Sequence, residues 1–442
     1  MPSTRRIIPA GKDASIDKMR PRGAAETPAS PEAPSTPDAS IVAVSKRVSN
    51  RTSSRLGRYL SLGDFEEGAR RCLPKMIFGY VSGAVETRAS MLDAESAYAE
   101  LALVPNYLVD VSHREQGRTL LGKRYASPFG VSPLGGAAMI AHDGDRVLAR
   151  AARIANVPMI LSASSLTKLE DIHAEYPDAW FQAYLPGDDT RIEAMLKRVA
   201  AAGFGTLVIT ADTPVAGNRE NNLRSGFSMP LRITPRVVLD SARHPRWLFG
   251  TVARTFFERG VPHFENMDAM QGPPMLSQNF ARNMDSRDQL SWRHVELMRR
   301  LWKGKLVIKG LLSTHDVAKA REVGAEGIIV SNHGGRQLDY AISPIRVLRE
   351  IRAEAKGMSV MIDGGIRRGT DLIKALALGA DFVFIGRPFL YAAAVGGTDG
   401  VLHAMTLLRD EIHRNMALLG LRHLDEVPPG IVKHGVKGAQ NE

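Results

Sequence analysis

With 442 residues the chain can hold one barrel-sized domain with extensions, or two ordinary domains, and a hydrophobic content of 44% supplies a full core. Lys and Arg total 58 against 47 acidic residues, a formal charge of +11 that favours anionic partners, but no zinc spacing and no aromatic-basic stripe admits nucleic acid among them. The sole cysteine, Cys72, excludes an internal disulfide framework and suits a reducing compartment, and no run of eighteen apolar residues offers a membrane span.

Residues 1–55 are rich in Pro, Ser and Ala, with clusters such as Thr27-Pro28-Ala29-Ser30-Pro31 and no apolar periodicity, and they read as a disordered tail without a signal peptide. A helical segment containing Phe78-Gly79-Tyr80-Val81-Ser82-Gly83-Ala84 opens the folded region, taken as 56–430 with a short tail at 431–442. From about residue 128 a beat sets in, with short apolar runs ending in polar or Gly-rich residues and followed by amphipathic stretches. The first four runs are Phe129 to Pro133, Met159 to Ser162, Trp180 to Tyr184 and Thr206 to Asp212. The last four are Lys305 to Lys309, Gly327 to Val330, Ser359 to Asp363 and Phe382 to Gly386. Apart from one gap, successive strand ends fall about 20 to 32 residues apart, the repeat of a parallel (β/α)8 barrel. A doubly wound sheet is the alternative, but eight units without a GxGxxG fingerprint, each ending in polar residues, favour closure.

The gap holds an insertion over 220–300. Its middle mixes Val237-Val238-Leu239, Trp247-Leu248-Phe249 and Phe256-Phe257 with Arg236, Arg243, Arg246, Arg254 and Arg259, which predicts either a membrane-interface helix or a helical lid.

Ligands of a (β/α)8 barrel bind at the carboxyl ends of its strands, so those ends can be read as chemistry. Ser331-Asn332-His333-Gly334-Gly335-Arg336-Gln337-Leu338-Asp339 follows the sixth strand and sets a titratable base three residues from a guanidinium fork suited to a carboxylate. A histidine beside a Gly-Gly turn is, alone, an ordinary loop residue. Asp363-Gly364-Gly365-Ile366-Arg367 and Gly386-Arg387 follow the seventh and eighth strands, where such barrels bind phosphate. Ser162, Gln182 and Thr210 could line the edge of a flat heteroaromatic ring, with Lys309 as a cation beside it. Each of these alone reads as a strand-end cap. Together on one barrel face they read as a site.

These motifs resemble the FMN-dependent α-hydroxy acid dehydrogenase and oxidase family over roughly residues 60–430, and SNHGGRQLD matches its active-site signature. The resemblance implies FMN, no metal, and oxidation of an L-2-hydroxy acid such as lactate or mandelate to the 2-oxo acid. It implies that His333 removes the substrate proton, that Asp212 stabilises the protonated imidazole and that Arg336 and Tyr80 bind the carboxylate. Tyr184 would sit by the substrate hydroxyl, and Arg219 matches a second arginine of the site. The implied flavin contacts are Pro133, Leu134, Gly135, Ser162, Gln182, Thr210, Lys309, Asp363, Gly365, Arg367, Gly386 and Arg387.

Departures refine the expectation. Gly79 replaces a usual Asp, and Ser164 stands where glycolate oxidases carry Trp, which opens room for a bulkier substrate. Gly135 and the insertion are most similar to the bacterial membrane-associated mandelate and L-lactate dehydrogenase branch. That branch implies a cytoplasmic homotetramer, peripheral at the inner face of the membrane on anionic lipid and passing electrons to a quinone. The rivals are a soluble oxidase that uses oxygen and a non-catalytic flavin-binding scaffold. No haem-binding pattern precedes residue 60.

Overall fold

Eight apolar runs form eight parallel strands. They are β1 (Phe129–Val131), β2 (Ile160–Ser162), β3 (Trp180–Ala183), β4 (Thr206–Thr210), β5 (Lys305–Leu311), β6 (Gly327–Val330), β7 (Ser359–Asp363) and β8 (Phe382–Ile385). In this computed structural model, which describes residues 55–228, 231–232, 234–275 and 286–435, they lie side by side in chain order, with β8 beside β1. The remaining seam closes where the Val131 amide donates to Pro158 O over 2.8 Å and Val131 bridges Met159 in parallel. This is the expected (β/α)8 barrel. Of the tail taken as 1–55, all but its last residue lies outside the described chain.

Side chains alternate across a strand, and this parity builds the site. Ile160, Trp180, Val208, Val307, Ile329, Met361, Phe382 and Phe384 point inward and pack into one buried cluster with Leu120 and Tyr125. Those two come from the hairpin of Arg118–Leu120 and Lys123–Tyr125, whose Tyr125 ring lies 5.8 Å from that of Phe382. Two residues further along, the same face carries Ser162, Gln182, Thr210, Lys309, Ser331 and Asp363, all buried. The barrel interior therefore changes from apolar to polar at the carboxyl ends of its strands. The opposite parity, including Leu161, Phe181, Leu207, Ile308, Ile328 and Val383, packs against the outer helices.

The N-terminal segment begins with helix Leu62–Cys72, started by a Ser61–Asp64 capping box, and continues in helix Lys75–Ser82. The insertion after β4 is narrower than 220–300, because Trp292–Leu301 is an outer-layer helix that buries Val295 and Met298. Within it, helix Pro235–Ala242 starts at Thr234, whose side chain caps Val237 N, and a continuous helical run covers 245–259. Asp240 Oδ2 accepts from Lys75 N at 2.7 Å and ties the insertion to the N-terminal helices. Trp247, Thr251 and Thr255 face the barrel, with Trp247 Nε1 donating to Met139 O at 2.8 Å. Phe249, Val252, Phe256 and Phe257 face outward and are 40–84% exposed. One side of this run packs as a lid would, and the other leaves its apolar residues uncovered. No helix among the described residues is long and apolar enough to cross a membrane.

The boundary expected at 430 falls short. Val432–His434 pairs antiparallel with Leu101–Leu103, so residues up to 435 complete the domain, and 436–442 lie outside the described residues.

Candidate active site

All eight strand ends contribute to a cavity of about 790 Å³, from Ser132 and Gly135 after β1 through Ser164, Tyr184 and Arg219 to Lys309, His333, Asp363 and Arg387. Such a volume is in the range of cofactor and small-molecule sites.

His333 and Asp212, 121 residues apart, meet across it, with Nδ1 2.9 Å from Oδ1. A carboxylate on Nδ1 fixes the tautomer in which that nitrogen carries the proton, so Nε2 remains for the cavity. Burial pushes the Asp212 carboxyl up, but the charge and hydrogen bond of His333, with Lys309 nearby, outweigh it and hold the group below its ordinary range. The histidine backbone is left-handed at φ 56°, uncommon for a residue with a side chain. Its amide is held by Ser331 Oγ at 3.0 Å. Gly335 is required two residues on, because a Cβ there would come within 2.6 Å of the Met91 backbone. The signature ends in Asp339, which accepts from Thr87 N and Ser90 N at 2.8 and 3.0 Å and so pins the loop to the N-terminal segment.

Arg336 donates Nη1 to the carbonyls of Tyr80, Val81 and Gly83 at 2.7–3.2 Å. Burial, with Arg219 and Arg387 adjacent, pulls its guanidinium down to about 9, so it is charged at neutral pH and gains from an anion. Its Cζ lies 5.3 Å from the Tyr80 ring centroid, and that ring stacks on Phe227 at 4.4 Å. Tyr80 Oη donates to Gly135 O at 3.3 Å. Arg219 is used mainly in bracing the loop, through Arg336 O at 3.1 Å and Gln337 Oε1 at 2.8 Å. Burial, with Asp212 close by, keeps the Tyr184 phenol protonated well above its usual range.

Beside the His333–Asp212 pair Lys309 Nζ contacts Asp363 Oδ2 at 2.9 Å and donates to Ser331 Oγ at 2.7 Å. Ser162 Oγ donates to Gln182 Oε1 at 3.0 Å. Arg387 donates to Val81 O, Gly83 O and Gly334 O, while Arg367 pairs with Glu95 at 2.7 Å. The proposed residues therefore gather at one mouth, although Arg367, Arg387 and Arg219 all spend hydrogen bonds on the protein itself. Two lining residues, Phe227 behind Tyr80 and Arg287 above Tyr184, were not among those singled out from the sequence.

The family model for FMN-dependent dehydrogenases matches residues 69–434. The chain belongs to this family. The (S)-mandelate dehydrogenase of Pseudomonas putida is 37% identical over 374 residues, covering 84% of this chain and 93% of that protein. An L-lactate dehydrogenase of Caulobacter vibrioides is 37% identical over 387 residues, covering 86% and 99%. The crystal structure of a monotopic membrane protein, (S)-mandelate dehydrogenase, superposes with a TM-score of 0.79 at 36% identity over 85% of this chain and 99% of that one. This member of the FMN-dependent dehydrogenases is thus an oxidoreductase acting on a CH–OH group, with FMN as its cofactor.

The residues present fit that cofactor. Gln182 Nε2, Thr210 Oγ1 and Asp363 Oδ1 are buried polar atoms without a hydrogen-bond partner, a costly state that the edge of a flat heteroaromatic ring relieves. At the phosphate end, Gly365 takes φ 77° where a Cβ would run into Ala94 O, and Gly386 caps the N-terminus of the helix that starts at Arg387 and breaks at Gly396 and Gly397, a terminus that attracts anions.

Proposed function

We propose that this FMN-dependent dehydrogenase oxidises an L-2-hydroxy acid to the 2-oxo acid, with His333 as base and Arg336 and Tyr80 as the carboxylate clamp. The observation that carries the reading is the His333–Asp212 pair beside Arg336, a polarised imidazole next to a buried cation at the rim of one cavity. Arg336 orients the acid, and Nε2 of His333 takes one proton from its CH–OH unit. Asp212 stabilises the imidazolium that results. The Tyr184 phenol, which stays protonated, hydrogen-bonds the substrate oxygen. Substrate loses two electrons and two protons overall, and the chemistry that FMN supplies when bound is that of a two-electron acceptor. Pro133, Leu134, Gly135, Ser162, Gln182, Thr210, Lys309 and Asp363 would hold its ring and the adjoining chain, and Gly365, Arg367, Gly386 and Arg387 its phosphate side.

The outward Phe249, Phe256 and Phe257 support a peripheral membrane position, where a lipid-dissolved quinone would take the electrons and two protons to become the quinol. Anaerobic bleaching of the flavin by L-lactate or L-mandelate tests the reaction, and a flavin unmoved by any 2-hydroxy acid would leave only a flavin-binding scaffold. Stopped-flow reoxidation tests the acceptor. Oxygen as fast as quinone would make the protein an oxidase.

A further inference from the structure

The cavity holds a second cationic centre that the reaction above does not use. Arg287, from the segment just before helix Trp292–Leu301, lines the cavity and places its Cζ 4.6 Å from the Tyr184 ring centroid. It is 8% exposed, and its Nη2 is buried without a hydrogen-bond partner. No ion pair reaches it among the described residues, and the charged or titratable groups that act on it are Tyr184 and Arg191 rather than the cluster of Arg219, Arg336 and Arg387. Among the described residues the cavity walls carry one carboxylate, Asp363, which is already paired with Lys309 at 2.9 Å. A desolvated guanidinium beside an aromatic face keeps its charge but is short of hydrogen-bond acceptors. Among the described residues none is supplied to Nη2, which leaves the ligand.

We propose that Arg287 receives a second carboxylate on the substrate's side chain, so that the preferred substrates are L-2-hydroxy dicarboxylic acids. The inference rests on the hydroxy acid reading above and deepens it. With the reacting carboxylate on Arg336 and Tyr80, the side chain extends past Tyr184 toward Arg287. Ser164 and Gly135, both small, line the same cavity. Arg287 also lines an adjoining cavity of about 260 Å³ with Tyr184 and Thr213, which extends the space beyond the first.

The FMN-loaded full chain is assayed with L-2-hydroxyglutarate and L-malate against L-lactate and L-mandelate, using a dye acceptor. The expected result is a higher kcat/KM for one of the diacids. In Arg287→Met the diacid-to-monoacid ratio of kcat/KM should fall by about 30-fold, as for removal of one partner of a buried charge pair, with Arg287→Lys recovering part of it. The flavin absorption spectrum checks that each variant is folded and loaded. Bleaching by monoacids alone, or a ratio unchanged in Arg287→Met, overturns this inference and leaves the hydroxy acid reading standing. Bleaching by none of the four acids overturns both.

Discussion

At the scale of single residues, the division of labour between His333 and Asp212 makes separable predictions. His333→Gln keeps a polar side chain of similar reach but no base, so FMN should stay bound while anaerobic flavin reduction slows by about 100-fold or more. Full-speed reduction would remove His333 from that role. Asp212 carries a pH signature as well. Its folded carboxyl lies below the ordinary 3.8, so it contributes stability that is complete above that value and is lost as pH falls through the folded value. The gap in unfolding free energy between the wild type and Asp212→Asn should therefore be widest above pH 4 and narrow below it, as denaturant titrations at several pH values would show. A constant gap would mean that the pair does not depress this carboxyl. His333 was legible from the SNHGGRQLD run after the sixth strand, and Asp212 from the family resemblance, while their 2.9 Å contact needed the fold. Arg287 was not legible, because its segment has neither a repeat nor a motif, and only the fold brings it over Tyr184. Arg367 and Arg387 were legible as cations but not as partners of Glu95 and of the Val81–Gly83 carbonyls, contacts that depend on how the N-terminal helices dock.

Among the elements, the helical run over 245–259 is the one whose sequence supported two readings, and its geometry explains why. Residues four apart, Trp247, Thr251 and Thr255, face the barrel, while Phe249, Val252 and Phe256 lie on the other side with Phe257. Two of its arginines are neutralised, Arg254 by Glu258 and Arg259 by Asp143, both at 2.8 Å. An electrostatic hold on anionic lipid then falls to arginines such as Arg236, Arg243 and Arg246, with insertion left to the phenylalanines. Replacing Phe249, Phe256 and Phe257 together by Ser should release the protein from anionic vesicles in a sedimentation assay without changing flavin reduction by substrate. Each exposed Phe that inserts contributes on the order of 1.5–3 kcal/mol, so the triple change should cost well over 100-fold in partitioning. Sedimentation equal to that of the wild type would leave the run as a lid alone.

For the whole molecule, the barrel is stabilised partly by a seam far from its chemistry, which the sequence reading assigned to a tail. Strand Val432–His434 pairs with Leu101–Leu103, Val104 N donates to Ile431 O and Gly435 N to Glu100 O, each at 2.8 Å. Ile431 and Val432 are 3% and 5% exposed, so the strand and the turn that leads into it bury two branched side chains as well as backbone. It was hard to see because three residues carry no period, and their partner lies more than 300 positions earlier in the chain. Ending the chain after Pro428 removes the ladder and both side chains, a loss of about 3–6 kcal/mol at ordinary burial energies. Ending it after Gly435 removes neither. Thermal unfolding followed by flavin release should then show the shorter chain melting on the order of 5–10 °C lower, with the longer one unchanged. Equal melting of the two would show that the strand adds nothing to stability. A drop in the shorter chain without loss of flavin reduction at low temperature would show that the seam stabilises the barrel without shaping the site, as expected of an element that contributes no residue to the cavity.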